Sequence, residues 1–279
     1  MPVSELSAEQ KGKQKLPPGA DPLKVSESYC IGGNMQRNAD GSAVDYGPWK
    51  IRKSGDEDRM HYSLELDAML MDDTGRLSLD ELQAYKTQLE SSFENTYARG
   101  EGWYFDEEKN KRVHYSWTGK LNLQIAHANV AANTDCMHVR IRPDGEVPNT
   151  EGGKGMGYAQ AGYSVVYLNE KVLNHAPAVD GIFKGSGLGM FGQPSLERTF
   201  SHHVFSTLNL MEVERQTQER HFPISRKRFN EFHEGKNLME GSRKFGQPNP
   251  KAGNSLIPDQ LKVMDEWMDV RWGKKKMKS

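Results

Sequence analysis

Cysteine is scarce: Cys30 and Cys136 are the only two in 279 residues. One bridge at most is possible, so a disulfide-built scaffold is excluded and two separate thiols are the default reading. Long apolar runs are missing as well. None approaches the roughly 18 residues that a membrane-crossing helix needs, and Met1–Gly19 lacks the apolar segment of a secretory signal. A soluble protein is expected, cytoplasmic unless a specialised system exports it, with no membrane partner. Neither charge is in excess, since 37 Lys and Arg stand against 38 Asp and Glu, a net charge of -1. Bulk attraction to nucleic acid therefore has no basis, and nucleic acid is not expected as a partner.

What is present is enough for a core: 35% hydrophobic residues under a surface supplied by 27% charged ones. The length suits one large or two small domains, and no internal repeat is evident. Residues 1–58 are rich in Pro, Gly, Ser, Asn and charge, and they read as an irregular arm. Tyr46, Trp49 and Ile51 would pin its end to a domain spanning 59–279. His61–Leu66 alternates as a strand does. The next stretch, LMDDTGRLSLDEL, places Gly75, Leu77 and Glu81 like an EF-hand loop, but Leu70 and Thr74 would stand at ligand positions. A turn at Asp73–Gly75 followed by a capping box, Ser78 with Glu81, accounts for it better. Leu82, Tyr85, Leu89, Phe93 and Tyr97 then form the stripe of a long helix stopped by Gly100.

Strand signals follow in RVHYSW, KLNLQIAHA and CMHVRI, with Gly119 and the AANTD stretch between them as turns. His114, His127 and His138 alternate with apolar residues and read as partly buried side chains rather than ligands. Cys136 and His138 share a face, too few groups for a metal site. Lys154 in GGKG lacks the Ser or Thr that a phosphate loop requires. Ser164–Leu168 is the next strand. After the helix described below, a charged stretch carries His221 and His233, and a last helix opens at Pro258 with Leu261, Met264 and Trp267 or Met268 inward.

The most informative stretch is Ser195–Arg215, SLERTFSHHVFSTLNLMEVER. Ser195 is a good N-cap, Glu197 suits the first turn, and Leu196, Phe200, Val204, Leu208 and Met211 make an apolar stripe. His202 and Ser206 lie four apart, the frame in which zinc-peptidase helices present two histidines to one ion. The run TFSHHVFSTLNL resembles the metzincin pattern T-x-A-H-E-x-G-H-x-L-G-L position by position. His202 matches the first ligand. His203 stands in place of the general-base Glu, Phe205 in place of the Gly, Ser206 in place of the second His and Asn209 in place of the turning Gly. Glu212 falls where the third ligand would be. Metzincins also carry a methionine turn beneath the metal, and here Asn237-Leu238-Met239 precedes Ile257-Pro258-Asp259-Gln260-Leu261 in the expected order.

The resemblance implies an α+β fold: a mixed twisted sheet, a long helix after the first strand, a central helix at the former zinc site, a Met-turn at Met239 and a C-terminal helix. It is to metzincin-type domains of bacterial secreted or contact-delivered proteins, some of them toxins. With one standard ligand of three remaining, neither catalysis nor metal is expected; His202, Ser206 and Glu212 are remnant positions and no cofactor is implied. What remains is a binding or effector module, taking a protein or peptide partner in the cleft, with Val165, Val166 and Tyr167 as the strand that would bind an extended peptide. Two other functions stay open. One is an active zinc endopeptidase with a rearranged set, His202 with His203 or Glu212 and His221 or His233. The other is a structural or assembly protein unrelated to metzincins.

Overall fold

The computed structural model describes residues 25–31, 48–106, 109–127, 136–147, 155–159, 164–175, 188, 193–208, 210, 237–239, 243–244, 247–248, 253–262 and 264. Among the described residues the architecture is α+β: an eight-stranded, curled mixed sheet with few helices. Its spine is β3 (Arg59–Asp72), where buried and half-buried residues alternate along most of the strand. β5 (Lys111–Ala126) runs parallel along one side of β3. Two strands share its other side. β2 (Trp49–Gly55) pairs antiparallel with the first half, and β6 (Met137–Arg142) pairs parallel with the second. β1 (Val25–Ile31) extends the sheet beyond β2, and β4 (Arg99–Asp106) extends it beyond β5. Beyond β6 come β8 (Val165–Asn169), parallel, and β7 (Gly157–Ala159), antiparallel and outermost. A separate small ribbon pairs β9 (Arg243–Lys244) with β10 (Gln247–Pro248).

The first helix, α1 (Leu79–Ser92), starts as its sequence requires. Ser78 accepts from the Glu81 amide while the Glu81 carboxylate accepts from the Ser78 amide, which satisfies two of the otherwise orphaned terminal donors. The turn before it is held by Asp72, whose carboxylate accepts from the amides of Thr74, Arg76 and Leu77. Gly75 there adopts a φ of +66°. Those carboxylate contacts are spent on the chain's own amides, in keeping with a turn rather than a calcium loop. The helix ends in a wider turn at Phe93–Tyr97, and Leu82, Leu89, Phe93 and Tyr97 are buried as the stripe predicts.

The second helix, α2 (Leu196–Ser206), packs on the same face of the sheet. Phe93, Phe200, Phe205 and Trp49 form one aromatic cluster, with Phe205 stacked on Phe93 at 5.6 Å and on Trp49 at 5.8 Å. Burial of such rings is the largest single source of apolar stabilisation available.

Four expectations need correction. Residues 1–58 are not an irregular arm throughout, because 25–31 and 49–55 are strands and Trp49 and Ile51 are fully buried. A boundary at 58 falls within the β2–β3 connection. Gly119 is no turn: it lies inside one continuous strand, β5, where an added Cβ would come within 2.2 Å of the Ala98 Cβ. Gly100 does not stop a helix but sits in β4 against the ring of Trp117. α2 ends at Ser206 rather than running to Arg215, since the Thr207 and Leu208 amides turn back three residues to the Val204 and Phe205 carbonyls. The AANTD stretch, Met211, Trp267 and Met268 lie outside the described residues.

Candidate functional site

The site is built where α2 meets the chain segment 237–239 and the outermost strand. Ser195 caps α2 by accepting from the Arg198 amide at 3.2 Å. Glu197 in the first turn accepts from Gln88 of α1 at 2.6 Å, so the two helices are tied by a polar contact beside their apolar one. Tyr97 bonds Ser195, and burial pushes its hydroxyl up to about 12. These contacts fix where the helix begins. They therefore also fix the direction in which His202 and His203 project, two turns later.

His202 donates from Nδ1 to the Leu238 carbonyl at 2.9 Å. Because a carbonyl can only accept, the neutral ring carries its proton on Nδ1 and its lone pair on Nε2. Burial, with the Arg198 charge adding to it, pushes the ring down to about 4. Leu238 belongs to a tight turn in which the Met239 amide donates to the Asn237 side chain, and both Leu238 and Met239 are in the core. A parallel bridge from Asn237 to Ser255, with the Leu238 amide on the Ser255 carbonyl, attaches this turn to the segment leading into Pro258. There Gln260 accepts from the Ile257 amide and Pro258 opens a helical turn, with Leu261 and Met264 buried.

Arg198 is the residue that sequence reasoning missed. Only 2% exposed, it donates from Nε to the Gly253 carbonyl and from Nη2 to the Leu238 carbonyl, each at 3.2 Å. The Leu238 carbonyl is thus shared between Arg198 and His202, which sit one helical turn apart. A charged pair, Glu197-Arg198, at the start of an otherwise apolar stripe was the available signal.

His203 takes a different direction. Its ring stands at 81° to that of His202, with centroids 5.0 Å apart. It lies against Gly157 of β7 so closely that a Cβ there would come within 2.4 Å of its Cδ2. Glycine is required at 157 because the imidazole occupies the space of a side chain. Burial, with help from His202 and Arg198, lowers the proton affinity of His203 well below the ordinary range. Ser206 donates its hydroxyl to the His202 carbonyl at 2.9 Å, folding back on its own helix. Phe205 fills the aromatic core.

Among the described residues no three His, Cys, Asp or Glu gather as metal ligands. Zinc catalysis needs three protein ligands with an open position, and the described part of this face offers the imidazoles of His202 and His203 with no third such group beside them. The two neighbouring rings point apart, the second-ligand position is a hydroxyl bonded to a helix carbonyl, and a buried guanidinium lies one turn away. Glu212, His221 and His233 lie outside the described residues. The other candidate histidines are dispersed. His114 is 3.7 Å from Glu101, His127 is exposed, and His138 is buried on β6.

The strand expected to receive a peptide is also corrected. Val165, Val166 and Tyr167 lie in β8, paired with β6 on one side and β7 on the other. Among the described residues the outermost place belongs to β7, hidden in a Gly-rich stretch and only three residues long. The Asn169 amide bonds the Met156 carbonyl, so in the alternating antiparallel ladder Tyr158 also bonds inward, and the amides of Gly157 and Ala159 point away from β8. Among the described residues no helix is long and apolar enough to cross a membrane. Set against models of protein families, curated proteins and solved structures, the chain matches none of them.

Proposed function

We propose that this chain is a metallopeptidase-type fold of metzincin character whose zinc chemistry has been replaced by packing, and that it acts as a binding or effector module. The arrangement around His202 supports this most. A histidine at the first-ligand position donates Nδ1–H to a backbone carbonyl, the contact by which ligand histidines are usually oriented. The carbonyl is that of Leu238, in the Asn-Leu-Met turn that the resemblance places beneath it. The positions that should complete the chemistry are meanwhile committed elsewhere: His203 against Gly157, Ser206 to its own helix, Phe205 to the core. A long helix after β3 fits the same reading.

A carboxylate is needed to take the proton of a zinc-bound water, and the half-buried imidazole of His203, packed against β7, is not one. Binding needs none of this. An extended peptide would add to β7 through the outward amides of Gly157 and Ala159, in the manner of strand addition. Ala159→Pro removes one such donor without touching the β7–β8 ladder, a place where an edge strand tolerates proline. Peptides selected from a random library on the full chain should lose binding to Ala159→Pro while its melting temperature is kept. The same protein, dialysed against zinc, should retain no stoichiometric metal and hydrolyse no denatured protein substrate. Stoichiometric zinc lost in His202→Ala, together with chelator-sensitive hydrolysis, would overturn the reading in favour of an active endopeptidase.

A further inference from the structure

The sheet has a second face, turned away from α2, and a row of side chains crosses three strands on it. Arg140 of β6 pairs in register with Tyr167 of β8, which pairs with Tyr158 of β7. Tyr158 and Tyr167 stack with centroids 6.5 Å apart, and the Arg142 guanidinium lies over the Tyr167 ring at 5.4 Å. The helix-facing residues of the same strands, Val139, Ile141, Val166 and Leu168, are buried in the core, so the polar row belongs to the opposite side.

The two arginines are not equally engaged. Arg140 holds Asp73 through two bonds of 2.8 Å, from Nε and Nη2. Arg142 reaches the same carboxylate only at 3.4 Å, and its Nε is buried with no hydrogen-bond partner. Among the described residues one carboxylate therefore faces two guanidiniums, with Arg142 the less engaged, beside aromatic rings that end at β7. Of the described acids nearby, Glu170 is paired with Arg76 and Asp144 with Lys171.

We propose that this row is a docking surface for an acidic segment of a protein partner, a carboxylate of which pairs with Arg142 while its chain lies across Tyr167 and Tyr158. Arginine presents a fork matched to a carboxylate, and Tyr and Arg are the residue types enriched where interfaces hold most of their affinity. A protein segment is favoured over a polyphosphate, which needs several cations along its length, because the row offers a single partly engaged guanidinium, Arg142, suited to one carboxylate. The surface does not depend on the history of the zinc frame, since none of its residues lies on α2.

The test is fluorescence anisotropy of a labelled oligoglutamate peptide with the full chain at low and physiological salt. Binding should weaken tenfold or more in Arg142→Gln and severalfold in Tyr158→Ala, whose side chain is half-buried at the sheet margin. Lys53→Gln, at a position on β2 outside the row, should leave it unchanged, and each variant's melting temperature is measured alongside. Equal binding of an oligolysine peptide, equal weakening in Lys53→Gln, tighter binding of single-stranded RNA, or no effect of either row variant would overturn the proposal.

Discussion

Gly119 offers the sharpest check on the fold, because its sequence context suggests a turn and its structural context forbids a side chain. A Cβ added there lies 2.2 Å from the Ala98 Cβ, 3.0 Å from Phe93 Cε1 and 3.2 Å from the Ala98 carbonyl oxygen. Carbon atoms in contact settle about 3.5–4.0 Å apart, so Ala98 and Gly119 must separate by more than ~1 Å. Neither side has a flexible end that can swing aside, and the backbone has to move. Overpacking of this kind costs about 1–3 kcal/mol, and a rigid pair belongs at the upper end, about 3. Replacing glycine in a strand interior returns about 0.5–1 kcal/mol of chain entropy. The net for Gly119→Ala is a loss of about 2 kcal/mol, which in a domain of this size lowers the melting temperature by roughly 4–8 °C. Ala98→Gly combined with it should recover much of that loss, a coupling that a thermal-melt double-mutant cycle reads directly. Gly119→Ala with an unchanged or raised melting temperature would refute the continuous strand β5 and the closeness of its neighbour.

Phe205→Ala should cost about 3–5 kcal/mol in a denaturant titration, the range for emptying a core aromatic site; a loss under ~1 kcal/mol would mean that the position is not core. His61 and His202 are both pushed down to about 4 from 6.5, by burial in each case. They stay neutral when folded and take up protons on unfolding, so their stabilisation is complete above pH 6.5 and is lost as pH falls from there toward 4. Asp67 and Asp72 are held below 3.8, against the cost of burial, by hydrogen bonds from Lys50 and Asn122 and from Thr74, Leu77 and Arg76, so they act at lower pH. Urea midpoints should therefore fall between about pH 7 and 4.5, and fall less in His61→Gln, whose wild-type ring bonds Ser116 and Thr118. An unchanged midpoint over that interval would contradict the neutrality of the two histidines.

Local chemistry was legible in the sequence. The Ser78–Glu81 capping box and the Leu82 to Tyr97 stripe depend on neighbours three and four residues away, and both are present in the structure. Glycines misled where their reason is a distant residue: Gly119 answers to Ala98 and Gly100 to Trp117. β2 was hidden because its exposed positions are polar and only its pairing with β3 makes it a strand. At the site, the spacing of His202, His203 and Ser206 placed them on one helix but gave no hint that Ser206 bonds its own backbone. Nor did it show that Arg198 and His202 share the Leu238 carbonyl, a junction made across 36 residues or more.

Installing the groups that the metzincin pattern calls for tests the proposed frame most directly. His203→Glu combined with Ser206→His rebuilds a Glu and a second histidine on α2, with Glu212 at the third position. After dialysis against zinc, the folded double variant should hold stoichiometric metal that disappears when His202→Ala is added, while the native chain holds none. A folded double variant that takes up no zinc would contradict a metallopeptidase ancestry for this helix.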